Sequence, residues 1–296
     1  MNINWYKNYI KSTIVRRWIL KTLWFIPNKT MLKIQYMIKL RNRLNFKSPQ
    51  RFTEKIQLYK VLYKNPTLKK VVDKYEVRKY LEDKGLSKYL VDFYGVYNSV
   101  EDINFDKLPN EFIMKATNGG GGTEILKMNK NNLNLKSLKR LTRKWTQQTN
   151  SRFDGREFAY HGIKGRIIVE ELLKDDTEDV KDYKFFCFNG NPRYVVVDMD
   201  RYIKHQRNIY DLEWNHLKIE SDKTFKDDII DKPRNYEEMI ELARKLSKEF
   251  PFVRVDLYNI QGKVYFGELT FYPWSGYVRF TPDKFDFILG KEFSYY

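Results

Sequence analysis

Cysteine is almost absent: Cys187 is the only one in 296 residues, which excludes an internal disulfide framework and any cysteine-rich zinc site. Histidine is nearly as scarce, with His161, His205 and His216 scattered along the chain, so a histidine-based metal centre is not expected. No apolar stretch approaches the ~18–20 uninterrupted residues of a spanning helix. Lys21 splits the best candidate, and no small-residue cleavage site follows it. The first 53 residues also lack acid altogether, Glu54 being the first. These absences together favour a reducing, cytoplasmic address.

What is present is ample core material. Hydrophobic residues make up 42% and aromatics 16%, with 22 Tyr, 20 Phe and 6 Trp, which rules out wholesale disorder. The length suits one large or two modest domains. The formal charge of +17 is unevenly placed. Residues 1–53 carry twelve bases: Lys7, Lys11, Arg16, Arg17, Lys21, Lys29, Lys33, Lys39, Arg41, Arg43, Lys47 and Arg51. The remaining 243 residues carry 43 bases against 38 acids, a net of only +5. Within the basic segment Tyr6, Ile10, Ile14 and Trp18 recur every fourth residue, and Trp24, Phe25 and Ile26 precede Pro27. Such a basic amphipathic pattern with tryptophan at its apolar edge suits the interface of an anionic bilayer. The other reading is that these helices pack on the body and their charges form a solvated face. No zinc-finger or RNA-recognition pattern points to nucleic acid, and no specific nucleic-acid partner is expected.

Along the body, the pattern predicts a helix over residues 51–64 and a second carrying Leu68, Val71, Val72, Tyr75 and Leu81, ending at Gly85. A buried strand is expected over 111–117, a glycine loop over 118–122, a returning strand over 123–127 and a helix over 133–148. Strands follow at 166–171, 183–189 and 193–198, the last two joined through Asn189-Gly190, a strong hairpin signal. Tyr236, Met239, Ile240, Ala243 and Leu246 mark a helix before Pro251. A final strand pair spans 252–258 and 263–270 around Gly262. The class is therefore α+β with mostly antiparallel strands.

Three elements carry chemistry. The first is Met114-Lys115-Ala116-Thr117-Asn118 followed by Gly119, Gly120, Gly121 and Gly122. Consecutive glycines let backbone N–H groups approach an anion closely, with a lysine charge beside them. The lysine precedes the glycines, so this is not the G-x-x-x-x-G-K-[ST] phosphate loop, and a flexible connection with an incidental lysine is the alternative. The second is Arg254-Val255-Asp256, a turn, then Glu268-Leu269-Thr270. By the period of two, Arg254 shares a face with Asp256, and Glu268 with Thr270. Two carboxylates facing each other across a hairpin repel unless a cation lies between them. Magnesium, which takes one or two carboxylates plus substrate phosphates, is one such cation; Arg254 alone is the other. Arg254 is also placed to stabilise negative charge on a reacting group. The third is Glu170-Glu171, a strand edge running into an acidic loop, where glutamates can accept from an adenine amino group or ribose hydroxyls. A solvated edge is the plainer reading. Cys187 reads as core.

The order of these elements resembles the ATP-grasp enzymes. The stretch from Arg254 to Gly276 is similar to the corresponding end of D-alanine–D-alanine ligases. More closely, the chain resembles the TupA-like ATP-grasp family of teichuronopeptide biosynthesis, sometimes described as glycosyltransferases of polysaccharide clusters. The stretches that carry the likeness are Phe52-Thr53-Glu54-Lys55 with Gln57, Val72-Asp73-Lys74-Tyr75 and Asp182-Tyr183-Lys184-Phe185-Phe186. Asp200-Arg201 through His205, with Arg207, Tyr210, Asp211 and Phe266 to Pro273, extend it over about residues 45 to 290.

The resemblance implies an ATP-grasp fold preceded by a basic helical segment: residues 1–50, then an N-terminal part over 51–165 with the glycine flap, then a C-terminal part over 166–296. It implies ATP and Mg²⁺ as cofactors. Lys74 and Lys115 match nucleotide-phosphate lysines, Gly119 to Gly122 the flap, and Glu170 and Glu171 the adenine hinge. The ribose ligand lies among Asp175, Asp176 and Glu178. Asp256 and Glu268 match metal ligands, and Thr270 stands where the wider superfamily has asparagine. Arg254 matches the arginine that steadies the transferring group, and Lys184, Arg201 and Arg207 are further candidate substrate cations, with surface charge as the alternative for each. Trp274 to Tyr277, with Ser275 and Gly276, is a candidate acceptor loop. The implied activity is a carboxylate–amine ligase acting through an acyl phosphate, joining an amine donor to a carboxylate-bearing sugar or polymer of the cell envelope. An anionic membrane surface would contact residues 1–45, at the inner face of the membrane. A glycosyltransferase using Asp198-Met199-Asp200 as a D-x-D motif, and a kinase on the same ATP site, are the rival activities.

Overall fold

The computed structural model describes residues 13–120, 124–149, 151, 154–175, 180–199, 205–227 and 230–295. The chain divides into two compact units. The first comprises residues 1–64, 151–158 and 175–296, and the second comprises 65–150 and 159–174.

In the first unit the basic segment folds as α1 (Thr13–Thr22) and α2 (Asn28–Leu40), separated at Pro27. Proline suits this junction because it lacks the N–H that a helix start leaves unsatisfied. Buried Arg156 holds the elbow, donating to the carbonyls of Leu23 and Ile26 at 3.1 Å each and to Asn28 Oδ1 at 3.1 Å. A guanidinium at the end of α1 satisfies carbonyls the helix leaves orphaned. The inner face of α2 buries Met31, Leu32, Tyr36 and Leu40, and the last three form a cluster with Leu44 and Tyr277. The packing reading is therefore correct for this face.

Helix α3 (Phe52–Leu62) starts where Glu54 folds back to accept from the backbone N–H groups of Asn45, Gln50 and Arg51. Five antiparallel strands make the sheet of this unit: β5 (Asp182–Phe188), β6 (Asn191–Met199), β7 (Gln206–Asp211), β8 (Phe252–Ile260) and β9 (Lys263–Thr270), in the order β7-β6-β5-β8-β9. The β5–β6 hairpin turns at Asn189-Gly190, both with positive φ (48° and 79°). Helix α7 (Tyr236–Ser247) packs on β5, β6 and β8. Helix α8 (Lys284–Glu292) packs on α3. Phe52 sits among Phe186, Phe188, Phe252 and Phe293, with ring centroids 5.1–6.3 Å away. These edge and tilted contacts add to simple area burial.

In the second unit β1 (Phe93–Tyr97), β2 (Glu111–Ala116), β3 (Ile125–Asn129) and β4 (Ile167–Glu171) form an antiparallel sheet in the order β1-β4-β2-β3. Phe112, Met114, Ile167 and Val169 enter its core with Leu138 and Trp145. The expected single helix of residues 68–81 is two, α4 (Thr67–Val71) and α5 (Glu76–Asp83). Asp73 separates them, because its Oδ1 accepts from the backbone N–H groups of Tyr75 and Glu76 at 2.9 and 3.0 Å. A short acid makes this turn in competition with helix continuation. The helix expected over 133–148 is shorter, α6 (Leu135–Thr142). It ends where Trp145 enters the core and Gln148 bridges Lys164, so tertiary pairing overrides local propensity.

Replacing Phe52 by alanine removes the ring shared by α3, β5, β8 and the C-terminal segment. Such a large-to-small change costs about 3–5 kcal/mol, and urea denaturation should show the midpoint falling without loss of the native far-ultraviolet spectrum in buffer.

Candidate active site

Five-strand pairing in the first unit creates an uncommon row of charge. Asp182 pairs with Asp198 across β5–β6, and Asp198 pairs with Arg207 across β6–β7. Lys184 pairs with Asp256 across β5–β8, and Asp256 with Glu268 across β8–β9. Alternation of side chains therefore puts Arg207, Asp198, Asp182, Lys184, Asp256, Arg254, Glu268 and Thr270 on one face. The opposite face carries Phe185, Cys187, Val253 and Val255, all fully buried. Sequence and register thus make one side of the same sheet a core and the other a site.

The groups are closely bonded. Lys184 Nζ donates to Asp182 and lies 3.1 Å from Asp256 and 3.7 Å from Asp198. Arg254 donates through Nε and Nη2 to the two Asp256 oxygens, 2.6 Å each, and Nη2 reaches Glu268 at 3.3 Å and Thr270 at 3.1 Å. Thr270 donates to Glu268 at 3.0 Å. Arg207 forks onto Asp198 at 2.6 and 3.2 Å and also bonds Asp222. His205 Nε2 lies 3.1 Å from Asp198. Lys184 and Arg207 are buried, so the surface-charge reading fails for both. Arg201 and Asp200 lie outside the described residues, as do Asp176 and Glu178.

Burial pushes the Asp256 carboxyl up to about 6; Asp182 and Glu268 add to the rise, while Arg254 and Lys184 oppose it. Asp198 shows the reverse outcome. Burial works to raise it, but the bond from His205 and the charges of Arg207 and Lys184 hold it well below the usual carboxylate range. Burial also pushes the Cys187 thiol up to about 12, consistent with core.

Asp256 and Glu268 are direct cross-strand partners with a hydroxyl beside them, an all-oxygen donor set. Among the described residues no group of three or more His, Cys, Asp and Glu side chains is placed to hold a metal. Two carboxylates are the number magnesium takes when substrate phosphates complete its shell. The row also holds four carboxylates (Asp182, Asp198, Asp256, Glu268) against three cations (Lys184, Arg207, Arg254), so its balance favours an added cation. The residues fit Mg²⁺.

Next to the row stands the Trp274–Gly276 turn. The Arg207 guanidinium lies 5.2 Å from the centre of the Trp274 ring. Trp274, Ser275 and Gly276 have φ of 50°, 55° and 66°. A Cβ on Gly276 would stand 2.4 Å from Gln57 Nε2 and 2.7 Å from Ile56 Cγ2, so glycine is required there. Gln57 donates to the carbonyls of Ser275 and Gly276 at 3.0 Å each. Lys60 donates to the Ser275 carbonyl and hydroxyl at 2.8 and 2.9 Å, and the hydroxyl donates to Glu157. Burial lowers Lys60 to about 7, against the opposing pull of Glu157.

In the second unit, Lys115 and Glu170 belong to one ion-pair chain. Lys115 Nζ lies 2.8 Å from Glu170 Oε2, and Arg78 Nη1 lies 3.0 Å from Glu170 Oε1. Glu170 is buried, so the solvated-edge reading fails for it; Glu171 is half-buried. Lys74 donates to the Gly119 carbonyl, and its backbone N–H to Thr117 at 2.8 Å. Gly119 and Gly120 are described, whereas Gly121 and Gly122 lie outside the described residues. Arg78, Lys60 and Glu157 were not singled out from sequence, since each stands on a helix or loop without a motif. The pairing of Arg78 with Glu170 is visible only once β4 and α5 are folded.

Residues 54–294 match the family model described as TupA-like ATPgrasp. The chain belongs to the TupA-like ATP-grasp family. Among solved structures it is similar to D-alanine–D-alanine ligase from Bacillus anthracis, at 18% identity over 68% of this chain and 57% of that one, with a TM-score of 0.40. It is similar to the ATP-grasp ligase PsnB bound to a minimal precursor (14% identity, 71% of this chain, 55% of that one, TM-score 0.42). The D-alanine–D-alanine ligase of Helicobacter pylori is a third (16%, 76% and 59%, TM-score 0.39). The chain thus spans between 55 and 59% of the length of these three structures. No curated protein matches the sequence.

Because the folded-state pKa of Lys60 falls from 10.5 to about 7, the unfolded chain binds the extra proton between those values, and stability rises with pH across that window. Wild-type protein should therefore gain on Lys60→Met by a few kcal/mol between pH 7 and 10, read as the difference of their urea midpoints.

Proposed function

We propose that the protein is an ATP-dependent carboxylate–amine ligase. The observation that supports this most is the direct pairing of Asp256 with Glu268 beside Arg254, within a chain of the ATP-grasp family. In this reading Lys74, Lys115 and the loop Gly119–Gly122 bind the phosphates of ATP, and Glu170 and Glu171 serve the adenine side. Asp256 and Glu268, with Thr270 beside them, would hold magnesium, which supplies charge neutralisation on the phosphates. A substrate carboxylate oxygen attacks the γ-phosphorus, the bond to the bridging oxygen breaks, and ADP leaves an acyl phosphate. An amine then attacks the acyl carbon, inorganic phosphate departs, and the amine gives up a proton as the amide forms. No protein nucleophile is needed: the chain contributes positioning and charge. Arg254, Lys184 and Arg207 steady negative charge on the reacting groups. The Trp274–Tyr277 segment receives the acceptor.

The substrate class in this reading is a carboxylate on a sugar, uronic acid or peptide of a cell-surface polymer, joined to an amine donor. The family resemblance supports this, as does the absence of acid in residues 1–53, which suits an anionic polymer or membrane. Cytoplasmic location, with residues 1–45 against the anionic inner face of the membrane, completes it. Among the described residues no helix is long and apolar enough to cross a membrane. Against the glycosyltransferase reading, Asp198 of the D-x-D is engaged by Arg207, Lys184 and His205.

A panel of amino acids and uronic acids with Mg·ATP, scored for ADP and product mass, tests the reaction. An amide product with stoichiometric phosphate supports the ligase; a stable phosphorylated product identifies a kinase, and nucleotide-sugar consumption a glycosyltransferase. Asp256→Asn and Glu268→Gln should each lower ADP release at least ~100-fold while the thermal transition stays cooperative. Normal turnover by either variant would overturn the assignment.

A further inference from the structure

Helix α2 has two apolar faces, and packing uses only one. Met31, Leu32, Tyr36 and Leu40 are buried. On the other side Ile34, Met37 and Ile38 are 41, 42 and 43% exposed, at the i, i+3, i+4 spacing of a single stripe. The elbow before α2 adds Trp24 and Phe25, 52 and 67% exposed. Lys33, directly before Ile34, borders the stripe on one side, and both it and Lys29 are exposed. No carboxylate occurs anywhere in the segment, which carries twelve bases before the first acid. An exposed apolar stripe in a segment whose charged side chains are all positive complements an anionic lipid surface, where apolar residues enter the acyl boundary and lysines meet headgroups.

The inner face of α2 reaches the candidate acceptor turn. Tyr277, directly after that turn, donates to Gln35 at 2.7 Å, lies 6.5 Å ring to ring from Tyr36, and has Lys39 Nζ 3.9 Å from its ring centre. The elbow is fixed by Arg156, and Gln35 donates to the Asp154 carbonyl at 3.1 Å. The helix therefore has Tyr277, next to the candidate acceptor turn that Gln57 and Lys60 hold, on its inner side and the exposed stripe on the other. Its thickness with side chains is about 10–12 Å.

We propose that Ile34, Met37 and Ile38, with Trp24 and Phe25, seat α2 on an anionic bilayer, and that α2 thereby holds the Trp274–Gly276 turn about one helix diameter from the lipid, where a lipid-linked acceptor is presented. The docking stands independently of the ligase reading; the acceptor class rests on it.

Co-sedimentation of the full chain with vesicles tests the docking. Vesicles of equal parts phosphatidylglycerol and phosphatidylcholine should bind the protein, and pure phosphatidylcholine should bind it at least ~10-fold more weakly. The triple variant Ile34→Ser, Met37→Ser, Ile38→Ser should lose about tenfold or more in partition with an unchanged thermal transition. Lys29→Glu with Lys33→Glu should lose a similar amount. Binding of the triple serine variant equal to wild type overturns the docking. So does a lipid-free dimer, seen by analytical ultracentrifugation, that the same variant dissociates, because the stripe then belongs to a second copy. For the acceptor side, a dye on Thr281→Cys, an exposed position five residues beyond Gly276, with native Cys187 buried, should transfer energy strongly to headgroup-labelled lipid in bound protein. Weak transfer in bound protein overturns the placement of the turn. Neither outcome depends on ATP turnover, so failure here and failure of the ligase assignment are read separately.

Discussion

Lys184 is the interaction on which the first unit turns. Its ammonium is buried on the central strand of a five-stranded sheet, bonded to Asp182 and within 4 Å of both Asp198 and Asp256. Each carboxylate reaches the next cation outward, Asp198 to Arg207 and Asp256 to Arg254. Isolated, any of these charges would be costly in the interior; linked in alternation they become tolerable. A sheet face built this way contributes little to stability compared with an apolar one of equal volume. It persists in the structure as a fixed field, already organised before any substrate binds, which is what a reaction that gathers negative charge requires.

Much of this was legible in the chain. Period-two alternation placed Arg254 with Asp256 and Glu268 with Thr270, and the glycine signals at 189–190 and 262 located the hairpins that bring strands into register. Of the two ways to reconcile the carboxylates of that hairpin, the structure shows Arg254 bridging them; magnesium there belongs to the proposal. What could not be read was long-range. β7 is polar in sequence (Gln206, Arg207, Asn208), so no hydrophobic pattern announced it, yet it buries Arg207 and Asn208 through the charge row and turn contacts. β1 was hidden by Gly95 and by a register shift beside Phe93. Asp73 looked like one position in a helix and proved to be the cap that breaks it.

The segment 154–157 shows how a few residues without any motif can organise a site. The Asp154 carbonyl receives Gln35, Arg156 holds the α1–α2 elbow, and Glu157 takes the Ser275 hydroxyl beside Lys60. Gly155 lies where a Cβ would fall 2.5 Å from Ser275 Oγ. The basic helices and the Trp274–Gly276 turn are thus tied to the same four residues, although Arg156 and Ser275 are more than a hundred positions apart in the chain.

The distance in sequence between α2 and its partners has a consequence for synthesis. Gln35 and Tyr277 are 242 residues apart. At roughly 5–20 residues per second, an α2 emerging from the ribosome waits on the order of 10 to 50 s for the aromatic ring that caps its inner side. During that interval the inner side of the helix meets only nearby partners such as Leu44 and Thr53, while the second unit, made of nearer chain segments, is free to collapse first. Production of the protein should therefore be governed less by its final stability than by what shelters this helix while the remaining strands are being made.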